Sequence, residues 1–119
     1  MAILNIRKKI CSKSINAVLC YKDRCVEKNA IYDSGNNVFY LDKPVIFGDK
    51  EVFCEIFGEE FNANRELLEV SYQSIGGDGV ASGIQLEKVV VYGKSFDGAV
   101  LCLFDGDLKN RIILNGIMV

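Results

Sequence analysis

The chain is punctuated too often for long helices. Turn formers recur every few residues, and the apolar runs between them are strand-length. Ile15 to Tyr21 is apolar-rich, with Ile15, Ala17 and Leu19 on one face. Lys22-Asp23-Arg24 breaks it, and Cys25 to Tyr32 resumes, so residues 15–32 read as a β-hairpin. Asp33-Ser34-Gly35-Asn36-Asn37 is a cluster of turn formers set directly after that strand. Pro44-Val45-Ile46-Phe47, Leu67 to Ile75, Lys88 to Tyr92 and Ala99 to Phe104 read as further strands. Gly76-Gly77-Asp78-Gly79 reads as a turn or flexible loop. The exception is Val52, Phe53, Ile56 and Phe57, whose spacing predicts a short helix near 50–60. The tail from Leu108 to Val119 fits helix or strand, with Asn115-Gly116 as a cap or turn.

Seven or so strands with one or two short helices predict an all-β fold, closed or sandwiched. The length of 119 residues fits a single domain, 1–119. A composition that is 50% hydrophobic and 25% charged, with one proline, excludes a disordered or collagen-like chain. No apolar run approaches the roughly 18 residues of a membrane span. That predicts a soluble chain, and the N-terminus also lacks a signal-peptide pattern.

Histidine is absent. That excludes Ser-His-Asp and Cys-His catalysis and any histidine-ligated metal. Acid–base chemistry must come from carboxylates, lysine, tyrosine or thiols. Five cysteines (Cys11, Cys20, Cys25, Cys54, Cys102) form no C-x-x-C pair and sit among apolar residues. They read as small buried hydrophobes in a reducing compartment, which predicts a cytoplasmic setting and no metal. Charge is uneven. Residues 1–28 carry seven basic and two acidic side chains, the rest seven basic and fourteen acidic. The first segment reads as a solvated basic face, with an acidic partner or an anionic membrane surface as the functional alternative. The basic residues are not interleaved with aromatics, so no nucleic-acid partner is expected.

Three motif fragments fail on spacing. Gly93-Lys94-Ser95 has Lys88 where a phosphate loop needs glycine. Gly76-Gly77-Asp78-Gly79 does not open a helix, and Asp105-Gly106-Asp107 lacks the glutamate of a calcium loop. Each reads as a turn. Asp33-Ser34-Gly35 differs, because an acid there emerges from the apolar strand end Ala30-Ile31-Tyr32. Ser34 can bond nearby backbone, and Gly35 permits close approach. An aspartic peptidase needs such an acid twice, since two carboxylates share a proton and activate a water. The plain alternative is an Asx-type turn.

The surrounding residues resemble one family. Ala30 to Val38, followed by Asp42-Lys43-Pro44-Val45-Ile46, is similar to the A-L-x-D-[ST]-G-N-x-L segment and P-V-I strand of the sporulation sigma-E factor processing peptidase. Val70 to Gly77 resembles that family's aromatic-x-S-[IV]-G run. Ile113 to Met118 resembles its closing L-L-[NH]-P-x-L segment, with Gly116 in place of proline. The likeness runs over about residues 10–119 in one order. Tyr32 stands where an aliphatic residue is common, the link from Asn36 to Pro44 is short, and the family's N-terminal membrane-spanning part has no counterpart here.

The resemblance implies a retropepsin-like acid-protease β-barrel with one catalytic aspartate, Asp33, in a loop shaped by Ser34 and Gly35 and supported by Asn36. It implies no cofactor. It also implies a sigma factor precursor as substrate, cleaved near its N-terminus, and a domain on the cytoplasmic side of a membrane anchor. Independently, only one D-[ST]-G occurs, so a two-aspartate mechanism needs a homodimer. Chain ends pair across the two-fold axis in such dimers, which marks Ile3 to Ile6 and Ile117 to Val119 as the expected contact. Residues 42–61 and 76–79 are candidate lids. The competing reading is a retropepsin-like binding or dimerisation module without activity.

Overall fold

The computed structural model describes residues 15–33, 35–74 and 77–119. Strands β1 (Ile15–Tyr21) and β2 (Arg24–Tyr32) form the expected hairpin, paired from Ile15↔Ala30 to Tyr21↔Arg24. Then come β3 (Phe39–Tyr40), β4 (Lys43–Gly48), helix α1 (Lys50–Phe57) and a 3-10 turn, Phe61–Ala63. The chain continues through β5 (Leu68–Ser74), β6 (Gly77–Gln85), β7 (Lys88–Val91), β8 (Lys94–Asp97), β9 (Val100–Leu103) and β10 (Ile112–Leu114). It ends in a 3-10 turn, Gly116–Met118.

The sheet runs β5-β6-β9-β4-β10-β2-β1-β7-β8, with β3 paired to β4. Ile84 of β6 and Val89 and Val91 of β7 come from distant parts of this path yet are buried in one core, so the sheet curls around it. Helix α1 closes that core with Val52, Phe53 and Ile56, one stripe of its surface. Two parallel pairings matter for the site. β10 inserts between β2 and β4, parallel to β2 and antiparallel to β4, and β4 lies parallel to β9.

Asp49 sets the start of α1. Its Oδ1 accepts the Val52 N–H at 3.2 Å, and its Oδ2 accepts those of Leu108 and Asn110, each at 3.0 Å. This 2%-exposed carboxylate thus caps the helix and holds the loop that leads into β10.

Several expectations need correction. Gly77, Asp78 and Gly79 are not a loop but the first residues of β6, paired with Ser74, Gln73 and Tyr72. The glycines mark close packing: a Cβ on Gly79 would lie 2.6 Å from the Tyr72 ring. Tyr92-Gly93 is the β7–β8 turn, and Lys94-Ser95 belongs to β8. Residues 42–61 cannot serve as a lid, because Val45, Ile46, Val52, Phe53 and Ile56 are core. Ile117 and Val119 are exposed, but Met118 is buried at 2%, so the C-terminus is partly core. Ile3 to Ile6 lie outside the described residues, as do Cys11 and the basic side chains Arg7, Lys8, Lys9 and Lys13.

The basic side chains of the first hairpin are partly consumed internally. Lys28 is 6% exposed and holds the Glu55 carboxylate and, at 2.9 Å, Asn110 Oδ1. Arg24 donates to the Glu55 carbonyl at 2.8 Å. Lys22 stays at the surface, 3.6 Å from Glu66.

Cysteine pairing is a further correction. Cys20 and Cys25 face each other across the β1–β2 hairpin and are disulfide-bonded. They are not free thiols, and cysteine usage no longer points to a reducing compartment. Cys102 is a buried thiol, as expected, and burial pushes its pKa up to about 12. In the unfolded chain it ionises near 9, so the folded state keeps a proton that the unfolded state loses. Its stabilising share is complete below pH 9 and declines as pH rises toward 12. At pH 8 without reductant, iodoacetamide should label the half-buried Cys54 and spare Cys102. Peptide mass mapping checks this, and equal labelling of the two would contradict it.

Gly83 faces β9 closely. A Cβ there would meet Cys102 Sγ at 2.7 Å and the Leu101 carbonyl at 3.1 Å. Gly83→Ala should therefore cost about 1–3 kcal/mol by overpacking. A urea melt indistinguishable from wild type would refute that.

Candidate active site

The site is built where β2 ends. The parallel register Ala30↔Ile112, Ile31↔Ile113, Tyr32↔Leu114 brings the end of β2 beside the end of β10. The next residues, Asp33 on one strand and Asn115 on the other, leave the sheet together. Asp33 is half-buried. Its Oδ1 accepts the Gly35 N–H at 2.9 Å, and its carbonyl accepts the Asn36 N–H at 3.0 Å. This is an Asx-type turn, and it leaves Oδ2 for other partners. Gly35 is exposed, and a Cβ on it would stand 3.2 Å from Asp33 Oδ1. A larger residue would crowd the carboxylate. Ser34 lies outside the described residues.

Asn36 follows the Asp33 turn and points into the sheet. It is 5% exposed, and its Nδ2 donates to the Val45 and Leu114 carbonyls, each at 3.1 Å. Its Oδ1 accepts the Val38 N–H at 3.4 Å, and its carbonyl accepts the Gly116 N–H at 2.8 Å. Buried amides are tolerated when their groups are paired, as these are.

In the sequence Asn115 fits a cap or turn and falls in the closing segment that resembles L-L-[NH]-P-x-L. It is 1% exposed. Its Oδ1 caps the terminal 3-10 turn through the Ile117 N–H at 3.1 Å. Its Nδ2 donates to the Val38 carbonyl at 2.7 Å and the Val45 carbonyl at 3.2 Å. The sequence signals were an amide directly after the apolar Ile112-Ile113-Leu114 run and its place in that closing segment, and neither says which carbonyls it bonds.

A groove of about 540 Å³ lies beside this loop. One wall is Asn37, Val38 and Phe39, the direct continuation of the Asp33 loop. The other is the β5–β6 hairpin, through Ser71 to Gln73 and Asp78 to Val80. Tyr72 anchors that hairpin, packing edge-on against Phe47 with ring centroids 5.9 Å apart. Of the two lid candidates, only the second reaches the groove, through Asp78 and Gly79, and it does so as part of a hairpin, while Gly76 lies outside the described residues.

No family model and no curated protein matches the chain. Among solved structures, the solution structure of the simian foamy virus (mac) protease matches with a TM-score of 0.50. The match covers 90% of this chain and 91% of that one, at 18% identity. The chain thus has an all-β, retropepsin-like aspartic protease fold. In this fold Asp33-Ser34-Gly35 follows the strand that pairs in parallel with β10.

Proposed function

We propose that this chain is an aspartic endopeptidase, with a catalytic pair made of Asp33 from each of two copies. The observation that carries the reading is the loop itself. A half-buried aspartate leaves the apolar strand end Ala30-Ile31-Tyr32, is backed by a buried, hydrogen-bonded asparagine, and sits on a loop that continues through Asn37 to Phe39 into one wall of a groove. The resemblance of the fold to a viral protease supports the same class.

In the mechanism, two Asp33 carboxylates lie close enough to hold one proton between them. The ionised one draws a proton from a water, and the water oxygen attacks the peptide carbonyl. The protonated one donates to the carbonyl oxygen, giving a neutral tetrahedral diol. A proton then passes to the leaving nitrogen, the C–N bond breaks, and the dyad returns to one proton. Gly35 keeps the loop open beside the carboxylate, and Asn36 fixes its position.

The substrate we assign is a sigma factor precursor trimmed near its N-terminus, on the resemblance of the Asp33 segment, the Val70–Gly77 run and the closing Ile113–Met118 segment to the sigma-E processing peptidase. The same resemblance supports a domain working on the cytoplasmic side of a membrane as an element of this proposal.

Subunit mixing tests the shared dyad. At constant total protein, an equal mixture of wild type and Asp33→Asn, re-equilibrated, should hold about one quarter of its dimers as wild-type pairs, and cleavage of a sigma factor precursor should fall to about one quarter of that of pure wild type. Activity falling only by half would mean that one Asp33 suffices. Dimers by sedimentation, with neither the precursor nor fluorescein-labelled casein cut, would move the chain to the inactive binding-module reading.

A further inference from the structure

We infer that Asn115 is a positioning residue for the Asp33 loop, tying the C-terminal turn to the backbone of Asn36 and Asp33. The inference rests on the reading of Asp33 as the catalytic acid.

Asn115 and Asn36 work as a pair. Both donate to the Val45 carbonyl, at 3.2 and 3.1 Å. Each also takes a carbonyl from the other's neighbourhood. Asn36 donates to Leu114, next to Asn115, and Asn115 donates to Val38, two residues past Asn36. Gly116 N–H, on the far side of Asn115, bonds the Asn36 carbonyl. A continuous chain of bonds runs from Ile117 through Asn115 to Val38 and Val45, then through Asn36 to Asp33.

The chemistry of the side chain is specific. This position needs two donors toward Val38 and Val45 and one acceptor toward Ile117, and a primary amide supplies all three. Aspartate would supply only acceptors. Alanine would leave the Ile117 N–H without its acceptor and would strip the Val38 and Val45 carbonyls of one donor each, leaving them the Val45 N–H and Asn36 Nδ2. Capping the terminal turn needs only the acceptor. The two donors point the other way, onto the carbonyls that bracket Asn36. Displacement there is passed to the loop in a region where small shifts of a reacting group are costly.

The test uses the full chain and compares Asn115→Ala, Asn115→Asp and a remote core control, Val89→Ala. The Asp variant keeps the cap to Ile117 and the side-chain volume but loses both donors. Amide hydrogen exchange at Asn36 and the carboxyl carbon shift of Asp33 are read by NMR at one pH. Both Asn115 variants should speed Asn36 exchange at least about tenfold over the control and move the Asp33 carboxyl signal. The control should shift neither, even where its melting temperature falls as far. In the cleavage assay on the sigma factor precursor, kcat should drop about 100-fold with KM nearly unchanged.

An Asp33 signal unmoved in folded Asn115 variants, or moved equally in Val89→Ala, overturns the inference. So does failure of both Asn115 variants to fold, which would make the residue structural alone. If wild type cuts nothing while the NMR differences appear, the endopeptidase reading fails, and Asn115 still stands as the residue that positions Asp33.

Discussion

Asp33→Asn is expected to lower the cleavage rate by about 10⁴-fold or more while leaving the fold intact. Asparagine has the same shape and still accepts the Gly35 N–H through its oxygen, so the 2.9 Å bond of the turn survives. What disappears is the ionisable oxygen that would take a proton from water. Because Asp33 is only half-buried and its loop is held by Asn36, the melting temperature should change little. The dimer should be retained, or tightened because two facing carboxylates no longer have to share a proton. Cleavage and thermal melting must be measured on the same preparations. Retained cleavage with a normal melt would remove Asp33 from the chemistry.

Asp49→Ala should be the most destabilising single change among the described side chains that bond backbone. Three N–H groups, of Val52, Leu108 and Asn110, lose their acceptor at once in a buried site. Lys109 and Asn110 adopt left-handed backbone, at φ 56° and 61°, and Asp49 is part of what holds Asn110 there. The expected loss is about 3–5 kcal/mol, or about 10–20 °C in a chain of this size. Asp49→Asn should do nearly as badly, because its amide hydrogens would point at N–H groups. The exposed neighbour Glu51→Ala should move stability by less than about 0.5 kcal/mol. Urea melts decide the matter, and a loss under about 1 kcal/mol for Asp49→Ala would show that water replaces the carboxylate.

Legibility followed the range of the interactions. The β1–β2 hairpin was readable because Ile15, Ala17 and Leu19 alternate and Lys22-Asp23-Arg24 interrupts, both local signals. Helix α1 was readable from the spacing of Val52, Phe53 and Ile56. β6 was not. Gly77, Asp78 and Gly79 carry a turn composition, but pairing with β5 and the Tyr72 ring over Gly79 put that glycine in a strand. The bond between Cys20 and Cys25 was hidden for a similar reason, since five residues of separation say nothing until the hairpin register places them opposite.

By itself the amino-acid sequence determined the all-β class, the absence of imidazole chemistry, and Asp33-Ser34-Gly35 with Asn36 as the chemically distinctive segment. These rest on residue type, period and adjacency, which a linear chain carries in full. Only the tertiary structure decided that β10 lies between β2 and β4, that Asn115 stands beside Asn36, that Asp49 holds a loop some sixty residues away, and that the β5–β6 hairpin walls the groove. Each depends on a parallel crossover or a buried polar group finding distant backbone. Buried amides and carboxylates must be satisfied wherever the fold brings donors and acceptors, and no local pattern specifies which carbonyl or N–H that will be.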